Sequence, residues 1–125
     1  MPYDTNNVFA KILRGELPAQ KVYEDADTLA FMDIMPRCEG HMLVVPKTQA
    51  RNLLDANPGQ LAACMRTEFR IVSRVMREHD FYEGVRAAII DKDQAPRWQP
   101  SALEAVTAGV VESYFEPLSC ELELP

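Results

Sequence analysis

At 125 residues and 14.1 kDa, with 47% apolar and 26% charged residues, the chain has the length of one compact domain and a composition that excludes wholesale disorder. A formal net charge of −6 excludes a general nucleic-acid binder, whose affinity comes from clustered cations neutralising phosphates. No apolar run approaches the length that spans a bilayer, and Cys38, Cys64 and Cys120 are odd in number, widely spaced and not preceded by secretory-signal chemistry, so a soluble, cytoplasmic chain with reduced thiols is expected.

In chain order, Thr5, Asn6 and Asn7 offer side-chain oxygens to cap a short first helix with Phe9, Ile12 and Leu13 on one face, and Gly15 followed by Pro18 ends it. Residues 21–25 and 28–32 flank Ala26-Asp27 and read as a tight hairpin. The apolar segments 29–32 and 42–45 are separated by a polar loop with Pro36 and Gly40, and the second stops at Pro46, so they read as strand, turn, strand. That loop puts Asp33 at the end of one strand and His41 at the start of the next, where a carboxylate and an imidazole face one ligand-sized space.

Asn57-Pro58-Gly59-Gln60 opens a long helix, with an Asn cap, Pro at the first helical position and Gln three residues after the cap. Leu61, Met65, Phe69, Val72 and Met76 keep helical spacing on one face. Arg66, Arg70, Arg74 and Arg77 lie along another, where they either recognise phosphates or an acidic partner or form a solvated face with Glu68 and Glu78. Asp80-x-x-Glu83 has the form of a capping box for a helix that buries Phe81, Val85, Ala88 and Ile89 and is weakened by Gly84, although residues 87–90 also fit a strand. After a loop through Pro96 and Pro100, Ser101-x-x-Glu104 opens a last helix with Leu103, Val106, Val110 and Tyr114 on one side, ending near Pro117. The expected class is α+β: a helix plus antiparallel strands, a long central helix and a mostly helical C-terminal segment.

The words Asn7-Val8-Phe9-x-Lys11-Ile12, Glu16-x-Pro18, Val22-Tyr23-Glu24-Asp25, Ala30-Phe31 and Asp33-Ile34-x-Pro36-x-x-x-Gly40-His41-x-Leu43-Val44-x-Pro46-Lys47 resemble the histidine triad family of nucleotide-binding hydrolases and transferases, over roughly the first half of the chain. The resemblance implies a purine nucleotide, a nucleoside monophosphate, held between the first helix and the segment 31–34. In that role Phe9 and Ile12 line the base and ribose pocket, Phe31 and Ile34 stand beside them, Asp33 accepts from the ribose hydroxyls and His41 supports the site. Read from the residues alone, the four apolar side chains are equally ordinary core, and Asp33 is equally a cap at a strand end. The family's second motif, His-x-His-x-His, has no counterpart, since the chain has two histidines, His41 and His79. His41 cannot be both nucleophile and leaving-group acid, so no catalytic residue is assigned and phosphoramidate hydrolysis or nucleotidyl transfer is expected to be lost. The resemblance also implies a homodimer.

A second set of words, Arg66-Thr67-Glu68-Phe69-Arg70, His79-Asp80-Phe81-Tyr82-Glu83-Gly84-Val85-Arg86-Ala87, Ile90-Asp91-Lys92-Asp93, Pro96-x-Trp98-x-Pro100 and Tyr114-Phe115-x-Pro117-Leu118, resembles the C-terminal end of the 3-hydroxyisobutyryl-CoA hydrolases, a branch of the enoyl-CoA hydratase superfamily. In that superfamily the CoA-binding loops, oxyanion hole and catalytic acids lie upstream of the matched segment, so Glu83, Asp91 and Asp93 inherit no catalytic role. The two resemblances divide the chain into residues 1–63 and 64–125, a chimera joined between residues 61 and 65. Cys38-x-x-His41 is half of a zinc-ligand spacing with nothing nearby to complete it, so no metal and no cofactor are expected. His79 is read as a surface histidine at a helix end. Two other readings stand beside the nucleotide site: an interaction or oligomerisation module, because helices that finish no sheet leave apolar faces, and a fragment of a CoA hydrolase-like protein.

Overall fold

In the computed structural model, which describes residues 2–124, the chain divides into two units. The first runs to Glu68 and takes in the residues from Leu122 on; the second is Phe69–Glu121.

The first unit opens as its polar cluster dictates. Asn7 Oδ1 accepts the Ala10 N–H at 2.9 Å and starts helix α1 (Val8–Leu13), while Gly15 leaves it at φ +75°, a left-handed conformation that glycine adopts without steric cost. A six-residue helix is held by packing more than by propensity, and Ile12 supplies that packing. The face expected to be shared by Phe9, Ile12 and Leu13 splits: Ile12 is buried and Leu13 packs against its cluster, but Phe9 is 46% exposed.

Strands β1 (Lys21–Glu24), β2 (Thr28–Met32) and β3 (Met42–Pro46) form an antiparallel sheet in the order β1-β2-β3. The β1–β2 turn works without Asn-Gly because Asp25 Oδ1 accepts the N–H groups of Asp27 (2.9 Å) and Thr28 (2.7 Å). These bonds and one from the Tyr23 hydroxyl hold the Asp25 carboxyl below its ordinary range, against the opposing effect of its partial burial. The pairing Leu29↔Val45 and Phe31↔Leu43 puts these four side chains on one face, where Ile12, Leu13, Leu17 and Ala19 close over them. Thr28, Leu29, Ala30 and Phe31 are 0–2% exposed, so β2 is buried on both faces.

Helix α2 (Pro58–Val75) begins where Asn57 Oδ1 accepts from Gly59 and Gln60. The side chains it buries are small, Cys64 and Thr67, and the expected apolar stripe stays nearer the surface, with Met65 40% exposed. Thr67 can be buried because its hydroxyl donates to the Ala63 carbonyl four residues back. Arg66 Nε donates to the Leu122 carbonyl at 3.2 Å.

In the second unit Arg70 Nε pairs with Glu121 at 2.9 Å and its Nη1 donates to the Phe115 carbonyl, while Arg74 Nη1 donates to the Tyr114 carbonyl. Three of the four stripe arginines therefore clasp C-terminal chain and are half-buried, while Arg77 is exposed, so the stripe is not a solvated row.

Helix α3 (His79–Val85) continues into a π-helical turn, Arg86–Ile90, so residues 87–90 are not a strand. Its burial departs from the expected pattern: Val85 is half-buried and Ala87 buried, but Phe81, Ala88 and Ile89 are exposed. The reason is polar. Asp80 lies inside the first turn, not at a cap, and its Oδ1 accepts the Gln99 N–H at 2.8 Å; Glu83 Oε1 accepts the Arg97 N–H at 2.8 Å. The acidic face thus draws the following loop over itself, and Gly84 admits the Trp98 ring, which a Cβ there would meet at 3.3 Å. His79 is exposed at the helix start.

The last helix begins later than expected. Leu103–Ala105 is a single 3-10 turn, Val106 and Thr107 are extended, and Thr107 Oγ1 then accepts the Val110 N–H to open α4 (Ala108–Ser113). Residues 116–124 are not helical, in keeping with a last helix that stops before Pro117. Among the described residues no helix is long and apolar enough to cross a membrane.

Leu29→Ala empties the most enclosed part of the first unit and is expected to cost about 2–5 kcal/mol. Leu54→Ala, at a side chain that is 94% exposed, is expected to stay within about 0.5 kcal/mol. Urea unfolding of both variants measures the contrast.

Candidate functional site

The end of β2 concentrates the polar chemistry of the first unit. The Asp33 N–H donates to the His41 carbonyl at 2.9 Å, a last rung of the β2–β3 ladder, and Gly40 at φ +75° turns the chain just before His41. This backbone rung brings the two side chains together. Asp33 Oδ1 accepts the Met35 N–H at 3.0 Å, forming an Asx turn, and Oδ2 lies 3.1 Å from His41 Nδ1. The approach to the imidazole is off the hydrogen-bonding axis, so Nδ1 is enclosed with a carboxylate beside it but no aligned partner. The pair attracts by charge whenever the ring is protonated.

Asp33 is 20% exposed at its side chain and, with exposed Ile34, lines a hollow of about 530 Å³ shared with Pro18, Ala19, Gln20 and Met32. Phe9 lines a different and larger cavity, about 860 Å³, together with Leu13, Val44, Val45, Leu61 and Met65. Ile12 and Phe31 are buried in the core cluster and line neither. Phe31 nevertheless meets Phe9 edge-on, with ring centroids 6.4 Å apart, so β2 links the two hollows through an aromatic pair. The structure thus joins Asp33, Ile34 and His41 at one place and Phe9 and Phe31 at another; it does not gather all six around one cavity.

The cysteines are free thiols. Burial, together with the charges of Glu68 and Asp25, pushes Cys64 up to about 11, so it is inert at neutral pH. Cys38 and Cys120 are exposed. No group of three or more His, Cys, Asp or Glu side chains that could hold a metal ion occurs among the described residues.

The second unit contains a cluster that sequence reasoning missed. The Arg86 guanidinium takes Glu83 through two bonds of 2.8 and 2.9 Å and reaches Asp91 and Asp93, each at 2.7 Å. Arg86 first, then the Arg97 N–H, holds the Glu83 carboxyl down at about 2, and the carboxylates together raise the guanidinium further above its ordinary value. The i,i+3 spacing of Glu83 and Arg86 was the available signal. The three acids thus form one surface network around a single guanidinium.

Comparison with known proteins gives two likenesses. The sequence profile described as enoyl-CoA hydratase/isomerase matches residues 30–115, from within β2 to just past α4. The mitochondrial 3-hydroxyisobutyryl-CoA hydrolase of Gallus gallus is 47% identical over 72 residues, 58% of this chain and 19% of that protein. A 13.2 kDa HIT-like protein of Azospirillum brasilense is 45% identical over 75 residues, 60% of this chain and 62% of that one. The crystal structure of a HIT-like protein involved in cell-cycle regulation from Bartonella henselae superposes with a TM-score of 0.52 at 52% identity, covering 55% of this chain and 54% of that one. The chain therefore spans about a fifth of the CoA hydrolase and just over half of the histidine triad structure. Its α+β architecture, helices with a three-stranded antiparallel sheet, matches the histidine triad side.

Glu83 provides a pH test of the second unit. Its folded value of about 2 lies below the ordinary 4.5, so its contribution to stability is complete above the ordinary value and is lost as pH falls through about 2. A carbon-detected NMR titration is expected to place its midpoint far below that of a free glutamate, and Arg86→Gln is expected to return it toward 4.5.

Proposed function

The chain belongs to the enoyl-CoA hydratase/isomerase family through residues 30–115, and we propose that its function nevertheless resides in the histidine-triad-like first unit, as a purine nucleoside monophosphate site without phosphoramidate hydrolase or nucleotidyl-transfer activity. The observation that carries this reading is Asp33. Its carboxylate stands partly exposed in a hollow beside Ile34, with Oδ1 accepting one N–H and therefore with acceptor capacity for two ribose hydroxyls. Phe9 of α1, 46% exposed and edge-on to Phe31 of β2, supplies apolar surface of the kind a base stacks against.

Displacement at phosphorus needs a nucleophile and a proton donor for the leaving group. His41 is the single histidine of the first unit, and His79 is turned to Asp80 in the second. A CoA thioester hydrolase draws less support, because Glu83, Asp91 and Asp93 are all engaged by Arg86. In this account the chain is a chimera: the two units part at Glu68, inside α2, a few residues beyond the interval 61–65 where the sequence words change. A second reading, an interaction module, is favoured by the exposed Ile34-Met35 and Leu53-Leu54 pairs. It fails if sedimentation gives a monomer mass independent of concentration.

Calorimetric titration with AMP tests the first reading. Asp33→Ala is expected to weaken binding about tenfold or more, the loss of a charge-assisted hydrogen bond worth about 1.5–3 kcal/mol, and Asp33→Asn, which keeps an acceptor for Met35, controls for the turn. Adenosine 5′-phosphoramidate is expected to be left intact. Unchanged affinity in Asp33→Ala, or turnover at about 1 s⁻¹ or faster, contradicts the reading.

A further inference from the structure

The 860 Å³ cavity plays no part in that reading beyond its contact with Phe9. Its position follows from the ladder. Asp33 N–H donates to the His41 carbonyl and Lys47 N–H to the Asp27 carbonyl, so 33/41, 31/43, 29/45 and 27/47 are the hydrogen-bonded pairs of β2 and β3. The alternate residues Met42 and Val44 direct their N–H and C=O groups away from β2, and β3 ends the sheet. Pro46 turns its carbonyl the same way and has no N–H.

Successive side chains on a strand point to opposite faces, yet Val44 and Val45 both line this one cavity. With Pro46 also lining it, the cavity lies along the C-terminal half of this edge strand. Phe9 and Leu13 of α1 and Leu61 and Met65 of α2 form its apolar walls. The rim carries two acids, Asp4 and Glu68, and one cation, Arg51, which Asp55 pairs, so the rim is net negative on a chain that is itself negative.

An outward-facing row of backbone groups beside an apolar trough is the geometry of strand addition, in which main-chain bonds supply affinity and alternate side chains fill the trough. We propose that this trough is a peptide-binding site, taking an extended segment of about five residues, apolar at alternate positions and basic at its ends, as a fourth strand on β3. The length follows from the five residues of β3, about 17 Å of strand. Pro46 keeps the site short, because an edge that stops at proline offers no further donor. The negative rim selects the basic ends.

The test uses the whole chain and a fluorescein-labelled peptide, acetyl-Lys-Val-Thr-Val-Thr-Val-Lys-amide. Anisotropy is expected to show saturable binding, weakened about tenfold by Met65→Glu on the trough wall. Hydrogen exchange read by NMR is expected to slow about tenfold or more at the Met42 and Val44 amides on saturation, with little change at Leu43 and Val45, which already bond to β2. N-methylating one alternate set of peptide residues is expected to abolish binding, and methylating the other set to be tolerated. Absence of saturable binding overturns the proposal. Binding that leaves Met42 and Val44 exchange unaltered, or that is indifferent to which set is methylated, overturns it equally, because the peptide would then adhere by its side chains alone.

Discussion

Burial of β2 on both faces is the constraint from which the first unit follows. Four consecutive residues, Thr28 to Phe31, are removed from water, and each of their peptide groups must find a partner or forfeit the cost of a lost hydrogen bond. β1 and β3 provide those partners, which is why the Asp25 turn and the Pro36–Gly40 loop must return the chain antiparallel. Ile12 closes one face, and the choice of side chains there is correspondingly strict. The Thr28 hydroxyl is enclosed without a partner, a cost that the surrounding apolar burial offsets. The Asp33–His41 pair stands where this buried strand emerges, so its geometry is inherited from the last rung of the ladder. A polar pair fixed by backbone in this way is positioned before any ligand arrives, which is the property a binding site requires.

The second unit is ordered on different principles. Its buried apolar residues are few, Ala87 and Phe115 among those described, and its cohesion lies in guanidinium contacts. Arg86 gathers three carboxylates, and Arg70 and Arg74 hold the carbonyls of Phe115 and Tyr114. Exposed networks of this kind are weakened by salt and by acid, whereas the β2 core is indifferent to both. The second unit thus contains a charged scaffold in which Glu83, Asp91 and Asp93 are drawn onto one guanidinium.

Much of the first unit was legible because local chemistry and burial agreed there. Asn7 and Asn57 cap helices as their side chains dictate, and the apolar segments 29–32 and 42–45, bounded by turn residues, give both strands to within a residue. The proximity of Asp33 and His41 followed from loop length. Phe9 was not legible, since a six-residue helix lacks the length to fix which side faces the sheet. The second unit misled because an apolar stripe was taken to face inward; in α3 the acidic face is covered instead, as the N–H groups of Arg97 and Gln99 needed acceptors that Glu83 and Asp80 supply. The late start of α4 has a similar origin: Thr107 offers a working cap, while Ser101 precedes residues that turn once and extend. The trough along β3 is a property of strand order, which no single stretch of sequence encodes.

The central claim, that the histidine-triad-like unit keeps a nucleoside site on this frame, is tested most directly by thermal unfolding followed by calorimetry and far-UV circular dichroism across a series of AMP concentrations. A ligand confined to the folded state stabilises it by an amount set by concentration and affinity, about 2.7 kcal/mol at a hundredfold excess over Kd. The account predicts a cooperative transition that rises steadily with AMP. A cooperative transition that stays in place as AMP is raised to millimolar levels contradicts it.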